Sequence, residues 1–258
     1  MSGPAGVSAI VLAELACGAL ALLWPTPLWS EVRRGFFKLV GVVVLVLAAS
    51  AWASAAAGAI PGEPAGAWTV DLAAALTAVT AIWLLLLFAR RQAAARVVGT
   101  ASVPLALALL AAMAGTSEGS HVVGFLQLLA GAAFLGAVID GLLLGHWYLT
   151  DRGLSRGPIN RYTTLLIAAV ALETTAVISG GFGPTRTTAD INPLLTSVGL
   201  ASWIALGMVG TTALIAVLIR AALRGTRASA VQAATGFFYL AVITALTAEF
   251  AAKVRFLP

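Results

Sequence analysis

The stretch LLLLFARRQAAARVVGTASV, residues 84–103, contains the pattern that decides the fold. An apolar run ends at Arg90, Arg91 and Arg96, and a second apolar run begins directly after them. Basic residues of membrane proteins collect in the short cytoplasmic connections between spanning helices. The stretch therefore predicts two transmembrane helices that are joined by a cytoplasmic loop.

The same pattern occurs four times along the chain, and it contains twelve of the fifteen Lys and Arg residues. The other three basic clusters are Arg33/Arg34/Lys38, Arg152/Arg156/Arg161 and Arg220/Arg224/Arg227. The alternate connections, at 61–67, 115–120 and 180–193, contain acidic residues and a single Arg. The positive-inside rule then predicts four cytoplasmic basic loops, with both termini outside.

The composition excludes an ordinary soluble domain. By count, 60% of the residues are apolar and 10% are charged, whereas soluble domains have about 25% charged residues. The net charge of +5 would suit nucleic acid, but the basic residues lie at the ends of apolar runs, which indicates membrane topology instead. We therefore expect a multi-pass protein of the inner or plasma membrane, with the lipid bilayer as its partner and no nucleic acid.

Eight apolar stretches reach the length of about 20 residues that a helix needs to cross the hydrocarbon. They are 7–28, 37–60, 68–89, 95–115, 121–148, 162–182, 194–220 and 228–252. No basic residue precedes the first stretch, so we expect a retained span and not a secretory signal. The predicted fold is all-α: one transmembrane domain over 1–258 with eight helices, because lipid leaves backbone groups no partner outside a helix.

An internal repeat is predicted by two pairs of similar connections. Residues 22–47 resemble 144–172, since each has an apolar run, Trp, Thr, an acid and two Arg, and 84–103 resembles 216–236 in the same way. Four spans separate the members of each pair, which predicts two parallel four-helix halves, 1–118 and 119–258, as in some transporters. The alternative is that positive-inside bias makes any two cytoplasmic loops alike.

Four acidic residues lie inside the predicted spans: Glu14, Asp140, Glu173 and Glu249. No Lys or Arg is expected to share the interior with them, because Lys253 reads as an anchor at the membrane interface. A carboxylate at this depth costs about 2.5 kcal/mol or more. We therefore expect these acids to hold protons, bind a cation or face water, and we take them as candidate catalytic, proton-transferring residues.

Depth along the helices groups these acids further. At about 1.5 Å per residue, Glu14, Glu173 and Glu249 reach one level of the outer half, with His121 above them, and Asp140 lies alone in the inner half. The alternative is that each carboxyl merely hydrogen-bonds a neighbouring helix, since threonines adjoin Glu173 and Glu249.

Candidate cofactor-binding residues lie at the two ends of span five. His146, Trp147 and Tyr148, at its cytoplasmic mouth, could hydrogen-bond a quinone carbonyl, and His121 lies at its outer end. A belt of interfacial aromatics is the alternative for such residues, and it also covers Trp24, Trp29, Trp68 and Tyr162. The two histidines are separated by roughly 37 Å of one helix, so they cannot ligate one haem. Nothing in the sequence supports the remaining pairing, His121 with Met113, so haem is not expected. Two His and one Cys also make a dedicated metal site unexpected.

Three functions fit these features. The first is a membrane subunit of an electron-transfer or respiratory system that binds menaquinone or ubiquinone, handles its protons and contacts redox subunits. Its plan resembles the polysulfide-reductase type of membrane subunit, which has eight helices, two four-helix halves and no haem; the resemblance is architectural and carries over no residue.

The second function is a proton- or cation-coupled secondary transporter, and the third is a non-catalytic scaffold or assembly subunit. Transporters commonly interrupt helices at a midplane site, for which Pro104 and residues 207–210 are the candidates. We favour the electron-transfer subunit at this stage, because the acids gather near one side of the membrane and not at its midplane.

Overall fold

The computed structural model describes residues 1–117, 119–151, 153–182, 199–225, 229–254 and 256. Within those ranges it contains eight helices that are long and apolar enough to span a membrane. They are α1 (Gly3–Leu22), α2 (Arg34–Gly58), α3 (Pro64–Phe88), α4 (Gln92–Ala114), α5 (His121–Thr150), α6 (Gly157–Ser179), α7 (Leu200–Leu223) and α8 (Ser229–Lys253). The prediction of an all-helical membrane protein with eight spans is therefore confirmed.

Prolines explain where the helix ends differ from the predicted ones. The first span ends at Leu22 instead of residue 28, because Pro25 and Pro27 follow and proline cannot continue a helix. Helix α6 starts at Gly157, earlier than predicted, because Pro158 suits the first helical turn. The connection predicted at 180–193 lies outside the described residues from 183 onward.

Helices α1 and α5 pack against each other and join two groups of four. In the first group α1, α2, α3 and α4 pack in succession and α4 returns to α1; in the second, α5, α6, α7 and α8 do the same and α8 returns to α5. Further contacts join α4 to α5, α8 to α1 and α2 to α5. Apart from the contact of α2 with α5, the set of neighbours is preserved when every helix number is shifted by four, as expected of a parallel repeat of two halves.

The contact between α1 and α5 is made by backbone at two glycines. A Cβ atom added to Gly18 would lie 1.8 Å from the carbonyl oxygen of Ala132, and one added to Gly136 would lie 2.4 Å from the carbonyl carbon of Gly18. Small residues permit such close approach of membrane helices. Any larger side chain at this crossing would have to push the two halves apart.

Two ion pairs link the halves at the end of the bundle where α1 and α5 finish, which we call the basic end; the other end is the opposite end. Arg33 Nε lies 3.2 Å from Asp151 Oδ2, and the Arg161 guanidinium contacts the Glu31 carboxylate. The acid that follows each central helix thus pairs with an arginine of the other half. This reciprocal exchange has the form of a two-fold interface.

Candidate functional site

Three of the predicted acids converge between α1, α6 and α8. Glu14, Glu173 and Glu249 are 0–1% exposed. The Glu173 carboxyl lies beside that of Glu249 and within electrostatic range of Glu14. Counting residues from the helix ends therefore placed these three side chains at a common level, and the helix packing turns all three toward one another.

A lysine completes this group, and the expectation that no cation shares the interior is wrong. Lys253 is 3% exposed, and its Nζ lies 2.8 Å from Glu14 Oε1 and 3.0 Å from Glu249 Oε2. Lys253 follows Glu249 by four residues on α8, so the two share a helix face, and the long apolar stem carries the ammonium inward. That spacing was the signal in the sequence. We call Glu14, Glu173, Glu249 and Lys253 the Lys–Glu cluster.

Helix α5 contributes no side chain to the Lys–Glu cluster; its Gly131 leaves room for the carboxyls. A Cβ atom added to Gly131 would lie 2.4 Å from Glu14 Oε1 and 3.0 Å from Glu249 Oε2. These separations are shorter than any ordinary contact, so an alanine here would displace the carboxyls. Gly131 is thus a requirement of the cluster and not only of helix packing.

The cluster contains more negative than positive groups. Full ionisation of its three carboxyls would leave two negative charges without a cation, and burial of uncompensated charge costs several kcal/mol per ion. Within the described residues, both oxygens of Glu14 and of Glu249, and Oε2 of Glu173, have no hydrogen-bond partner. Lys253 Nζ lies at ion-pair distance from two of them, Glu14 Oε1 and Glu249 Oε2. The free oxygens can therefore accept protons.

A cavity of about 60 Å³ adjoins the cluster at the opposite end, where Glu173, Lys253, Gln127 and Ser202 are among its lining residues. Gln127 Nε2 donates to Ser179 Oγ at 3.1 Å, which holds one of the polar lining side chains in place. A water molecule needs about 10–15 Å³ of such space, so the cavity has room for a few. Glu173 is thus the carboxyl that faces a water-sized space, while Glu14 and Glu249 lie behind Lys253.

Asp140 lies apart from the cluster, near the basic end. Tyr162 Oη lies 3.1 Å from Asp140 Oδ2 and 3.0 Å from the carbonyl oxygen of Leu22, and both side chains are 0% exposed. The aromatic-belt interpretation of Tyr162 is therefore wrong: α6 begins at Gly157, which places Tyr162 more than one turn inside the helix. Along α5, Asp140 is about 13 Å from Gly131.

The four predicted cofactor-binding residues do not share a site. His121 is exposed at the start of α5, where its Nδ1 lies 3.4 Å from the carbonyl oxygen of Ala114. Both ring nitrogens of His146, near the other end of the same helix, lie 3.2 Å from Tyr239 Oη on α8. One ligand cannot touch both histidines across roughly 37 Å.

Trp147 and Tyr148 point away from His146. The Trp147 ring packs on Phe36 of α2 at a centroid distance of 6.4 Å, while Tyr148 donates a hydrogen bond to the carbonyl oxygen of Ser155. Successive residues of a helix point about 100° apart, which explains why three neighbours in sequence contact three different parts of the bundle.

Sequence reasoning missed an aromatic cavity at the basic end. It measures about 140 Å³ and is lined by Trp29, Val32, Arg34, Phe37 and Gln92. The Trp29 and Phe37 rings lie 4.7 Å apart between centroids. The interpretation of Trp29 as a belt residue hid this site, because a single sequence does not tell a lipid-facing ring from one that lines a cavity.

Across the described parts of the chain, no three His, Cys, Asp or Glu side chains form a group that could hold a metal ion. Comparison with protein-family models, curated proteins and solved structures finds no match for this chain. Its function is therefore inferred from the Lys–Glu cluster and the surroundings of that cluster.

Proposed function

We propose that the chain is a proton-coupled secondary transporter whose Lys–Glu cluster takes up and releases the coupling protons. One observation carries this proposal: Lys253 lies between Glu14 and Glu249, while Glu173 beside them faces a water-sized cavity. The cluster has more carboxyls than its single ammonium can neutralise, and the cavity supplies a route for protons to the excess carboxyl.

Proton binding at this place acts on the contact between the two halves. Glu14 belongs to α1, in the first half, while Glu173, Glu249 and Lys253 belong to the second. Proton loss from Glu173 adds a negative charge beside Lys253, which weakens the hold of the ammonium on Glu14. Occupancy of the cluster by protons therefore changes how strongly α1 is held against α8.

The basic end faces the cytoplasm under this proposal, in accord with the positive-inside rule. The Lys–Glu cluster then opens to the outside, which is the side from which a proton gradient drives uptake. Helices α4 and α7 run without a break through Pro104 and through residues 207–210. The proposed coupling site is thus built from side chains and not from the broken helices that many transporters use.

Proteoliposomes with a pH-sensitive dye inside test the proposal. An acidic bath imposes the gradient, valinomycin with potassium clamps the membrane potential, and a mixture of amino acids, sugars and nucleosides in both compartments lets symport or antiport run. We expect wild-type protein to acidify the lumen faster than protein-free liposomes do, and Glu173→Gln to return the rate to the protein-free value.

Asp71→Asn is the matched control, because Asp71 is an exposed acid of α3 toward the same end of the bundle, and it should keep the wild-type rate. A wild-type rate equal to that of protein-free liposomes would overturn the proposal. An undiminished rate in Glu173→Gln would remove that residue from it.

The second candidate is a quinone-binding subunit of an electron-transfer system, which the aromatic cavity favours. Trp29 and Phe37 offer faces on which a quinone ring can stack, and Arg34 and Gln92 carry donors for its carbonyl oxygens. The set of His146, Trp147 and Tyr148 lacks such a common space. A quinone would therefore be held at the aromatic cavity, in contact with peripheral or membrane redox partners.

Solvent extraction of the purified protein, followed by chromatography, decides between the candidates. A transporter should yield no menaquinone or ubiquinone beyond that of the lipid carried along. Stoichiometric quinone that is lost in Phe37→Ala, and kept in the exposed control Trp203→Ala, would replace the transporter proposal by the electron-transfer one.

A further inference from the structure

A buried hydroxyl ties three helices together near the basic end. Tyr162 on α6 lies within hydrogen-bond distance of Asp140 on α5 and of the carbonyl oxygen of Leu22, the last residue of α1. The last carbonyls of a helix have no donor within the helix. Among the described residues, Asp140 Oδ1 has no hydrogen-bond partner and no access to solvent.

The number of hydrogens decides how this contact is made. A tyrosine hydroxyl has one hydrogen to donate, and two acceptors lie at about 3 Å from it. If Asp140 is neutral, its O–H donates to Tyr162 Oη and Tyr162 donates to Leu22, so each group has a partner. If Asp140 is ionised, the Tyr162 hydrogen turns to the carboxylate, and Leu22 loses its donor.

Arg161 is the nearest charged group to this contact, and His146, which contacts Tyr239 Oη, lies about 9 Å from Asp140 along α5. Arg161, one residue before Tyr162, pairs with Glu31 at the surface. On α1 the nearest titratable carboxyl is Glu14, about 12 Å along the axis from Leu22. Phe238 of α8 packs at the level of Gly141, so Glu249 lies about 16 Å and Lys253 about 22 Å beyond it along the helix. Lys38 of α2 lies over the Phe88 ring of α3 instead.

We propose that Asp140 and Tyr162 form a second proton-binding site, and that its proton decides whether the end of α1 is held against α6. On release, the Asp140 O–H bond breaks, the proton passes to water at the basic end and the electron pair stays on the carboxylate. Tyr162 keeps its own hydrogen and moves its hydrogen bond from Leu22 to Asp140. The end of α1 is then free to shift.

This inference rests on the proposed function only for the direction of proton movement. In a transporter the inner site would release protons that the Lys–Glu cluster takes up. The buried apolar residues Phe134, Leu135 and Val138 lie between Gly131 and Asp140 on α5, so transfer from one site to the other requires a change of shape. Movement of the α1 end is such a change.

Infrared difference spectroscopy on the protein in lipid, recorded against pH, tests proton binding. We expect a protonated-carboxyl band that disappears in Asp140→Asn and shifts to higher frequency in Tyr162→Phe, where the hydrogen bond is lost. Glu173→Gln is the control, since it should remove a different band. A wild-type spectrum that Asp140→Asn leaves unaltered would overturn the proposal.

Thiol labelling tests the movement of α1. A Ser30→Cys variant in a Cys17→Ala background places a single exposed thiol after the end of α1, and Ala93→Cys places one after α3 as the control. We expect the labelling rate at position 30, relative to that at 93, to vary with pH and to lose this variation in Asp140→Asn and Tyr162→Phe. If the ratio of labelling rates is constant with pH in the variants that keep Asp140 and Tyr162, the proposed pH-dependent hydrogen bond between Tyr162 and Leu22 is contradicted.

The two proposals fail separately. A carboxyl band from Asp140 in a protein without proton flux would retain the inner site and remove the transporter. Proton flux in a protein without that band would do the reverse.

Discussion

The Lys–Glu cluster and the Asp140–Tyr162 contact keep carboxyls in the membrane interior by different means. At the opposite end, an ammonium lies between two carboxyls and a third faces a cavity. Near the basic end, the Asp140 carboxyl meets the neutral Tyr162 hydroxyl and, among the described residues, no cation. An ammonium compensates charge, whereas a hydroxyl only shares a hydrogen. The first site therefore tolerates ionised acids, and the second favours a neutral one.

Removal of the ammonium should produce the largest effect. Lys253→Met leaves Glu14 and Glu249 without a cation, and loss of one partner of a buried ion pair costs about 3–5 kcal/mol. We expect a strongly lowered midpoint of thermal unfolding in detergent, with partial recovery in the double variant Lys253→Met/Glu14→Gln. The half-buried control Lys38→Met should unfold near the wild-type temperature. Equal midpoints for both lysine variants would contradict the idea that Lys253 compensates the charge of Glu14 and Glu249.

Crowding of the cluster should produce the next effect. Gly131→Ala places a methyl group where the Glu14 and Glu249 carboxyls lie, and overpacking of this kind costs up to about 3 kcal/mol. Gly210→Ala on α7 is the control, because a Cβ atom there meets nothing within 4 Å. We expect a lower midpoint and a lower proton flux for Gly131→Ala alone. If Gly131→Ala and Gly210→Ala give the same unfolding midpoint and proton flux, the Lys–Glu cluster is less tightly packed than its distances indicate.

Loss of the hydroxyl at the inner site should be milder. Tyr162→Phe leaves the Asp140 O–H without its acceptor and the Leu22 carbonyl without its donor, at a cost of roughly 1–2 kcal/mol. Thermal unfolding should show this as a small drop, and the drop should be smaller in an Asp140→Leu background, where only the Leu22 carbonyl loses a hydrogen-bond partner. An unchanged Tyr162→Phe midpoint would mean that the hydroxyl does not hold α1.

The ion pairs at the basic end should matter least. Arg33–Asp151 and Arg161–Glu31 are partly exposed, and such pairs contribute under about 1 kcal/mol. We expect Glu31→Gln and Asp151→Asn to lower the unfolding midpoint slightly at low salt, and by similar amounts because the pairs are reciprocal. Raised salt should abolish both effects, and a large salt-independent loss for one of them would break the symmetry between halves.

Sequence could predict the eight spans because charge and apolarity mark membrane boundaries strongly. It placed Glu14, Glu173 and Glu249 at one depth, since depth follows from residue counts along a helix. It misplaced Lys253, because a lysine near a helix end is ordinarily drawn to the interface, and only its contacts with α1 reveal its inward course. The pairing of helices through Gly18 and Gly136 was also beyond reach, since the chain has 26 glycines and most of them face no such crossing.

The crossing of α1 and α5 has a mechanical consequence. Glu14, Gly18 and Leu22 follow one another at four-residue steps on α1, so the touching backbones lie midway between the two polar sites, about 6 Å from each. A helix that is in close contact with another at its midpoint can pivot about that contact. A slight tilt of α1 about this contact would move one polar site away from its neighbours and the other site closer to its own. In the proposed transporter, the two sites would then not be open to protons at the same time.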